Sequence, residues 1–392
     1  MRVLFLSFYY TPDLCAGSFR ASALMEALER QLPAESHVDL LTTMPNRYGS
    51  FSAAASEFEE TGSVSVRRIP LPSHQSGMRD QSKAFFAYAR AVHAHVRNRK
   101  YDLIFATSSR LMTAVLGASI ARSQGVCLYL DIRDIFVDTI QSMLPRRISF
   151  PIVGTFSLLE RYAVRSASKV NLVSRGFEGY FVRRYPTQSF SYFLNGIDDM
   201  FFARGKGGVP ATPPPHQYLV LYAGNLGEGQ GLHVIMPALA KAMKGKAKFS
   251  IIGDGGCKSR LKIALENAGV DNVSLQDPVD RKALVELYQQ ADVLFLHLND
   301  YDAFRKVLPS KIFEYAATGK PIWAGVAGYA AEFIKQEIEN AEVFTPCDID
   351  GAIRAFSQLQ FKKIVRDAFV FKYDRQSIMQ LMAKDIVSTV SS

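Results

Sequence analysis

Cysteine is scarce in this 392-residue chain, and the four present, Cys15, Cys127, Cys257 and Cys347, are scattered without metal-ligand spacing. That excludes a disulfide framework and fits free thiols in a reducing cytosol. Long apolar runs are missing too. No stretch reaches bilayer-spanning length, so an integral membrane protein is not expected. The opening MRVLFLSFYYTPD is too brief for a signal peptide, has no small-residue cleavage site after it, and reads as a first buried strand. Despite a net charge of +9 there is no dense basic tract or nucleic-acid-binding motif, so nucleic acid ranks last among partners. GxGxxG and GxSxG are absent, which weakens a dehydrogenase and a serine-hydrolase reading. The histidines show no ligand spacing.

What is present is a globular composition, 48% hydrophobic and 21% charged, in a chain long enough for two cores. Apolar runs of strand length recur at 3–9, 38–43, 103–107, 127–130 and 170–173, then at 219–223, 249–252, 273–275, 293–298 and 322–326, separated by helical patterns. Continuous rather than alternating apolarity suits parallel strands buried on both faces, so the pattern is α/β, doubly wound, and appears twice. The Gly- and Pro-rich stretch between the two series is a linker. The expected organisation is therefore a first Rossmann-like domain over 1–204, a linker over 205–216, a second Rossmann-like domain over 217–372, and a helix over 373–392 that packs back on the first. Strand C-termini of the two domains are expected to face a shared cleft.

Between Pro309 and Pro321 the chain reads PSKIFEYAATGKP. Pro309 and Ser310 build a helix start, with Lys311 and Glu314 at its mouth. Helix N-termini attract anions, and a lysine there suits a phosphate. A glutamate beside it would repel phosphate unless it accepts hydrogen bonds, for which a ribose diol is the obvious donor. The pair thus reads as a nucleotide-sugar clamp, against the plainer alternative of a solvated i,i+3 pair. Gly17, before a helical run that carries Arg20, and the loops Gly224-Asn225-Leu226-Gly227-Glu228-Gly229-Gln230-Gly231 and Gly253-Asp254-Gly255-Gly256 can each bring backbone close to a phosphate, or can simply turn the chain. Asp131-Ile132-Arg133-Asp134 follows a strand, where a carboxylate can orient a sugar or acceptor hydroxyl, or else form a structural ion pair. Asp300-Tyr301-Asp302 and Asp348-Ile349-Asp350 have the look of a metal-binding DxD, a pattern that recurs by chance. Arg79, Lys83, Arg90, Arg97 and Arg99, interleaved with Phe85, Phe86 and Tyr88, and the tract 146–151, can engage anionic headgroups or form an ordinary amphipathic face.

With these residues in hand, the chain resembles the retaining glycosyltransferases of family 4, of GT-B fold. FYYTPDLCAGSFRASALMEAL, LDIRD, LVSRGFEGYF, LNGID, LYAGNLGEGQGL, IIGDG and PSKIFEYAATGKPI follow in family order, and PSK with EY points to the branch that builds bacterial surface polysaccharides such as O-antigen or capsule. The resemblance implies that Glu314 holds the donor ribose. It gives the diphosphate to Lys311 and the N–H groups around Asn225 and Gly227, with Gly17 on the same group from the first domain. Gln230, Gly253, Asp254, Gly255 and Ser310 would line the donor site, Pro278 and Val279 the base, and Asp134, with Asp131, Arg133 and Arg20, the sugar or acceptor side. No metal or other cofactor is implied. The expected partners are a nucleotide-sugar donor, UDP-linked, a lipid-linked saccharide acceptor and an anionic membrane surface, which puts the protein in the cytoplasm on the inner face of the membrane. Two departures stand out: Lys306 occupies the position of a sugar-contacting glutamate, and Asn225 and Gln230 replace the usual cations of the phosphate loop. They keep open a nucleotide-sugar 2-epimerase of the same fold and a non-catalytic nucleotide-binding scaffold.

Overall fold

The computed structural model describes residues 1–46, 54–72, 78–108, 110–143, 146–202 and 217–390, so the expected linker lies outside the described residues. The chain divides into two compact units, one of residues 1–195 with 376–392 and one of residues 196–375.

The first unit is built on an eight-stranded sheet. Its strands are β1 (Arg2–Leu6), β2 (His37–Thr43), β3 (Phe58–Thr61), β4 (Val64–Ile69), β5 (Leu103–Thr107), β6 (Cys127–Ile132), β7 (Lys169–Leu172) and β8 (Phe190–Ser191), in the order β3-β4-β2-β1-β5-β6-β7-β8. All pair in parallel except the exposed β3, which runs antiparallel to β4. The helices are α1 (Ala16–Gln31), α2 (Met78–Val96), α3 (Leu111–Gln124), α4 (Phe136–Met143), α5 (Arg146–Ser166) and α6 (Glu178–Arg184). Val3, Phe5, Leu24, Leu28, Phe105 and Tyr129 form a core completed from the far end of the chain by Met379, Met382, Ala383 and Ile386. Asp385 fixes that last segment, accepting hydrogen bonds from Tyr129 (2.8 Å) and Ser191 (2.7 Å) and pairing with Lys169.

The second unit has six parallel strands, β9 (Tyr218–Ala223), β10 (Ala247–Ile252), β11 (Val273–Gln276), β12 (Val293–His297), β13 (Ile322–Gly325) and β14 (Ala341–Phe344), in the order β11-β10-β9-β12-β13-β14. Its helices are α7 (Leu232–Ala242), α8 (Lys258–Ala268), α9 (Arg281–Gln290), α10 (Lys311–Ala317), α11 (Tyr329–Glu337), α12 (Ile349–Gln358) and α13 (Asp367–Lys372). The final helix α14 (Arg375–Ser388) carries the chain back to the first unit. Both sheets are the doubly wound type expected from the sequence. In each, strand order reverses at one place: β1 pairs with β2 and β5, and β9 pairs with β10 and β12. Such reversals open a crevice at the strand C-termini, where doubly wound folds take ligands. The chain leaving β9 is the first glycine loop, and the chain leaving β12 leads to α10. The strand order therefore sets these two segments side by side.

Candidate functional site

At the reversal of the second sheet Lys311 begins α10 and lies over the glycine loop. A Cβ on Gly224 would stand 2.2 Å from both Cε and Nζ of Lys311, so only glycine lets the ammonium settle there. The Tyr222 ring lies 6.0 Å from Nζ. Burial pushes the Lys311 pKa down, partly offset by attraction to Glu314. A cation held in that state gains from an incoming anion. The helix has only seven residues, about two turns, so the macrodipole invoked from the sequence is short and Lys311 carries most of the positive charge. Ser310 precedes it in helical geometry and makes no side-chain cap bond.

Glu314 is 8% exposed and accepts a hydrogen bond from Tyr288 on α9 (3.2 Å). The Tyr288 ring is fixed edge-on against Tyr315 at 5.3 Å. Burial, and then Glu314 itself, push the Tyr288 pKa well up, so its hydroxyl stays a donor. At the other end of α10, the Arg366 guanidinium donates to the carbonyls of Ala316 (3.0 Å) and Lys320 (3.1 Å), which fixes where the helix stops.

The glycine loop is largely self-satisfied. Gly224 donates to Ile252 (2.8 Å), Leu226 to Asp254 (2.9 Å), and Gly227 to the Gln230 side-chain carbonyl (3.2 Å), which also takes the Asn225 amide (2.7 Å). Asn225 and Gln230 thus hold the loop's shape, and the Gly227 N–H expected to meet a diphosphate already has a partner. Gly253 backs onto Gly224, where a Cβ would fall 1.8 Å from the Gly224 oxygen, and Asp254 turns back to bond the N–H of Gly255 (2.8 Å). His297 closes the arrangement. Its Nε2 accepts from the Cys347 N–H (3.1 Å), which leaves Nδ1 to carry the proton and donate to the Gln230 carbonyl (2.7 Å). Pro278 and Val279 are half-buried in the turn after β11, before Asp280, which caps α9 through the Ala283 N–H. Lys306 is half-buried ahead of α10, whereas Arg305 is exposed beside Asp300 and Asp302. That pairing, with Asp302 92% exposed, and the role of Asp348 as the cap of α12 account for both DxD patterns.

In the first unit two expectations need correction. Arg20 and Asp131, placed on the sugar side from the sequence, are each 1% exposed and bound to one another through two hydrogen bonds of 3.0 and 2.9 Å. Arg20 also donates to the carbonyls of Phe193 and Leu194, while Asn171 and Thr107 fill the remaining Asp131 positions. Burial alone would raise the Asp131 pKa, but Arg20 overrides it and holds the carboxyl below its usual range. This is a sealed structural pair tying α1 to β6. Gly17 sits inside the first turn of α1 rather than ahead of it, and is buried. Arg133 and Asp134 leave the end of β6 differently. Asp134 is exposed, while Arg133 keeps a buried Nη1 that has no hydrogen-bond partner among the described residues. Burial pushes the Arg133 pKa down, with Asp131 opposing.

The same unit has an apolar cavity of about 570 Å³ among α2, α3, α4 and α5, lined by Phe85, Phe86, Leu111, Met112, Phe136 and Phe156 among others. Phe86 is 71% exposed and Phe150 83% exposed, Lys83 and Arg90 are exposed on α2, and Arg97 is exposed just after it. Tyr88, grouped with them in the sequence, is fully buried against Phe8, and Arg99 pairs with Asp39. The side chains of 78–79 and 143–149 lie outside the described residues. No helix among the described residues is long and apolar enough to cross a membrane.

Residues 19–189 match the family described as glycosyl transferase 4-like domain, and residues 210–370 match glycosyl transferases group 1. A putative colanic acid biosynthesis glycosyl transferase, WcaI of Escherichia coli K12, is 24% identical over 337 residues, 81% of this chain and 82% of that protein. Among solved structures, sucrose-phosphate synthase from Thermosynechococcus elongatus superposes with a TM-score of 0.76 at 16% identity, covering 99% of this chain and 98% of that one. Anabaena HepE in complex with UDP gives 0.63 at 16%, covering 99% and 100%. WaaG, a glycosyltransferase involved in lipopolysaccharide biosynthesis, gives 0.65 at 13%, covering 99% and 97%.

Proposed function

The chain belongs to the family 4 glycosyltransferases, and from that premise we propose that it transfers a sugar from a UDP-sugar to a hydroxyl of a lipid-linked saccharide in surface-polysaccharide synthesis, with retention of configuration. The observation that carries this reading is the pair on α10: a half-buried lysine packed against a glycine loop, one turn from a carboxylate held by a buried tyrosine. Lys311 would neutralise the charge growing on the departing diphosphate. Glu314 would accept from the ribose hydroxyls, with Tyr288 holding its other side. Pro278 and Val279 would meet the base through backbone groups. Asp134 and Arg133 would serve the sugar or acceptor, and a front-face route would let the leaving phosphate take the acceptor proton. No metal takes part in this chemistry. The apolar cavity beside exposed Phe86, Lys83 and Arg90 favours a lipid-bearing acceptor reached from the cytoplasmic face of a membrane.

Thermal stabilisation by UDP-, GDP- and dTDP-sugars and by the free diphosphates, read with and without added Mg²⁺, tests the donor. Hits are then assayed for diphosphate release with a membrane lipid extract. Stabilisation by uridine compounds without Mg²⁺, and release only with lipid, are expected. Conversion of the donor sugar with no acceptor present would instead favour a 2-epimerase, binding without any turnover a scaffold, and no nucleotide response would overturn the clamp.

A further inference from the structure

Three side chains outside the donor clamp converge behind the glycine loops. Glu228 lies in the first loop, His233 in the first turn of α7, and Cys257 immediately before α8. Their donor atoms all lie within 4.8 Å of one another. Cys257 Sγ is 3.4 Å from Glu228 Oε2, and His233 Nε2 is 3.7 Å from Glu228 Oε1. In a tetrahedral zinc site with bonds of about 2.0–2.3 Å, neighbouring ligand atoms stand roughly 3.3–3.8 Å apart. Both contacts have that length, one to each oxygen of the Glu228 carboxylate, and a single choice of oxygen keeps all three donor atoms within 4.8 Å of one another.

The second observation is the state of His233. Its side chain is 7% exposed, and both ring nitrogens are buried with no hydrogen-bond partner among the described residues. A buried imidazole left so is costly unless something supplies its missing bond. Arg260 approaches from α8, 2.7 Å from Glu228 Oε2 and 3.9 Å from Cys257 Sγ, but its side chain is 61% exposed. The guanidinium neutralises Glu228 but makes no hydrogen bond to either His233 nitrogen. An exposed ion pair of that kind is readily exchanged.

We propose that Glu228, His233 and Cys257 bind one Zn²⁺, with water in the fourth position, and that the ion staples the loop after β9 to the loop after β10. Binding releases the Cys257 thiol proton, forms the Zn–S, Zn–N and Zn–O bonds, and displaces Arg260 into solvent. Cys257 lies on a separate loop well beyond Glu228 and His233 in sequence, so ligand spacing does not reveal the group. The ion has a structural role and touches neither the donor nor the acceptor.

The test uses the untagged full chain. Metal content after purification without chelator is expected to be one zinc per chain. After its removal, titration with Co²⁺ should give a thiolate-to-cobalt absorption band at one equivalent, and Zn²⁺ should raise the melting temperature. Cys257→Ser should abolish the band, and His233→Gln should weaken binding by more than about 100-fold, beyond the range for loss of an outer partner. Cys347→Ser should leave binding unchanged and serves as the control. Absence of stoichiometric zinc or cobalt uptake by the folded wild-type protein overturns the proposal, as does a cobalt band that survives in Cys257→Ser. These readouts do not depend on transfer activity, so the site stands or falls separately from the donor assignment.

Discussion

Lys311 and Gly224 are packed so closely that the two atoms at the end of the lysine occupy the space of a residue-224 side chain, and the Gly224 φ of +146° is one that side-chain-bearing residues rarely adopt. A glycine is therefore part of the lysine's seat. Gly224→Ala should displace the ammonium and strain the loop, with a stability loss of about 1–3 kcal/mol and a rise in donor KM. Urea unfolding with donor titration checks this, and a variant with wild-type donor affinity would remove the seat from the binding account.

Lys311→Ala removes the half-buried cation. On the charge-stabilising role, kcat should fall about 10²–10³-fold, by analogy with loss of a single charge-stabilising donor. Single-turnover kinetics at saturating donor isolate that step. An unchanged kcat would confine Lys311 to packing.

Glu314→Ala should instead act mainly on donor recognition. Losing a charged hydrogen-bond acceptor costs about 1.5–3 kcal/mol, or roughly 10- to 150-fold in kcat/KM. A 2′-deoxyribose donor should be penalised in the wild type and much less in the variant. Equal discrimination by both proteins would show that Glu314 does not meet the ribose.

The sequence made the doubly wound pattern of both sheets legible because continuous apolar runs such as Leu103–Thr107 and Leu219–Ala223 have few other uses than buried parallel strands. It did not disclose β3 and β4, where Glu59, Glu60, Arg67 and Arg68 interrupt the apolar signal on a short hairpin at the sheet edge. Lys311 and Glu314 were visible because chemistry and helix start coincide within a few residues. Tyr288, His297 and Arg366 were not, because each reaches this region from a different element and only the strand order brings them together. Arg20 and Asp131 were misread for a related reason. A sealed pair and a sugar-binding pair use the same residue types, and only burial tells them apart.

The sealed pair leads to a prediction opposite to that for the clamp. Asp131→Asn leaves Arg20 charged and buried without its counter-ion, which should cost about 3–5 kcal/mol of stability. Unfolding of this unit is expected at lower denaturant, with donor KM near wild type for the protein that remains folded. A large kinetic defect at full stability would return Asp131 to the sugar side.

His297 couples the glycine loop to pH. It is fully buried, and burial pushes its pKa down to about 4 from 6.5, with the bond to Gln230 opposing. Between those values the unfolded chain binds a proton that the folded protein refuses, so stability rises with pH across the window. The contribution is complete above about pH 6.5, and falls as pH drops towards 4 by about 3 kcal/mol in total. Protonation would also take Nε2 away as the acceptor of the Cys347 N–H while Nδ1 still bonds Gln230, so the loop is strained from one side first. Denaturant unfolding at pH 7.5, 6 and 5, for wild type and His297→Asn, isolates the effect from the other titrating groups. The wild type should lose stability faster than the variant across that range, and parallel curves would mean that His297 does not titrate there.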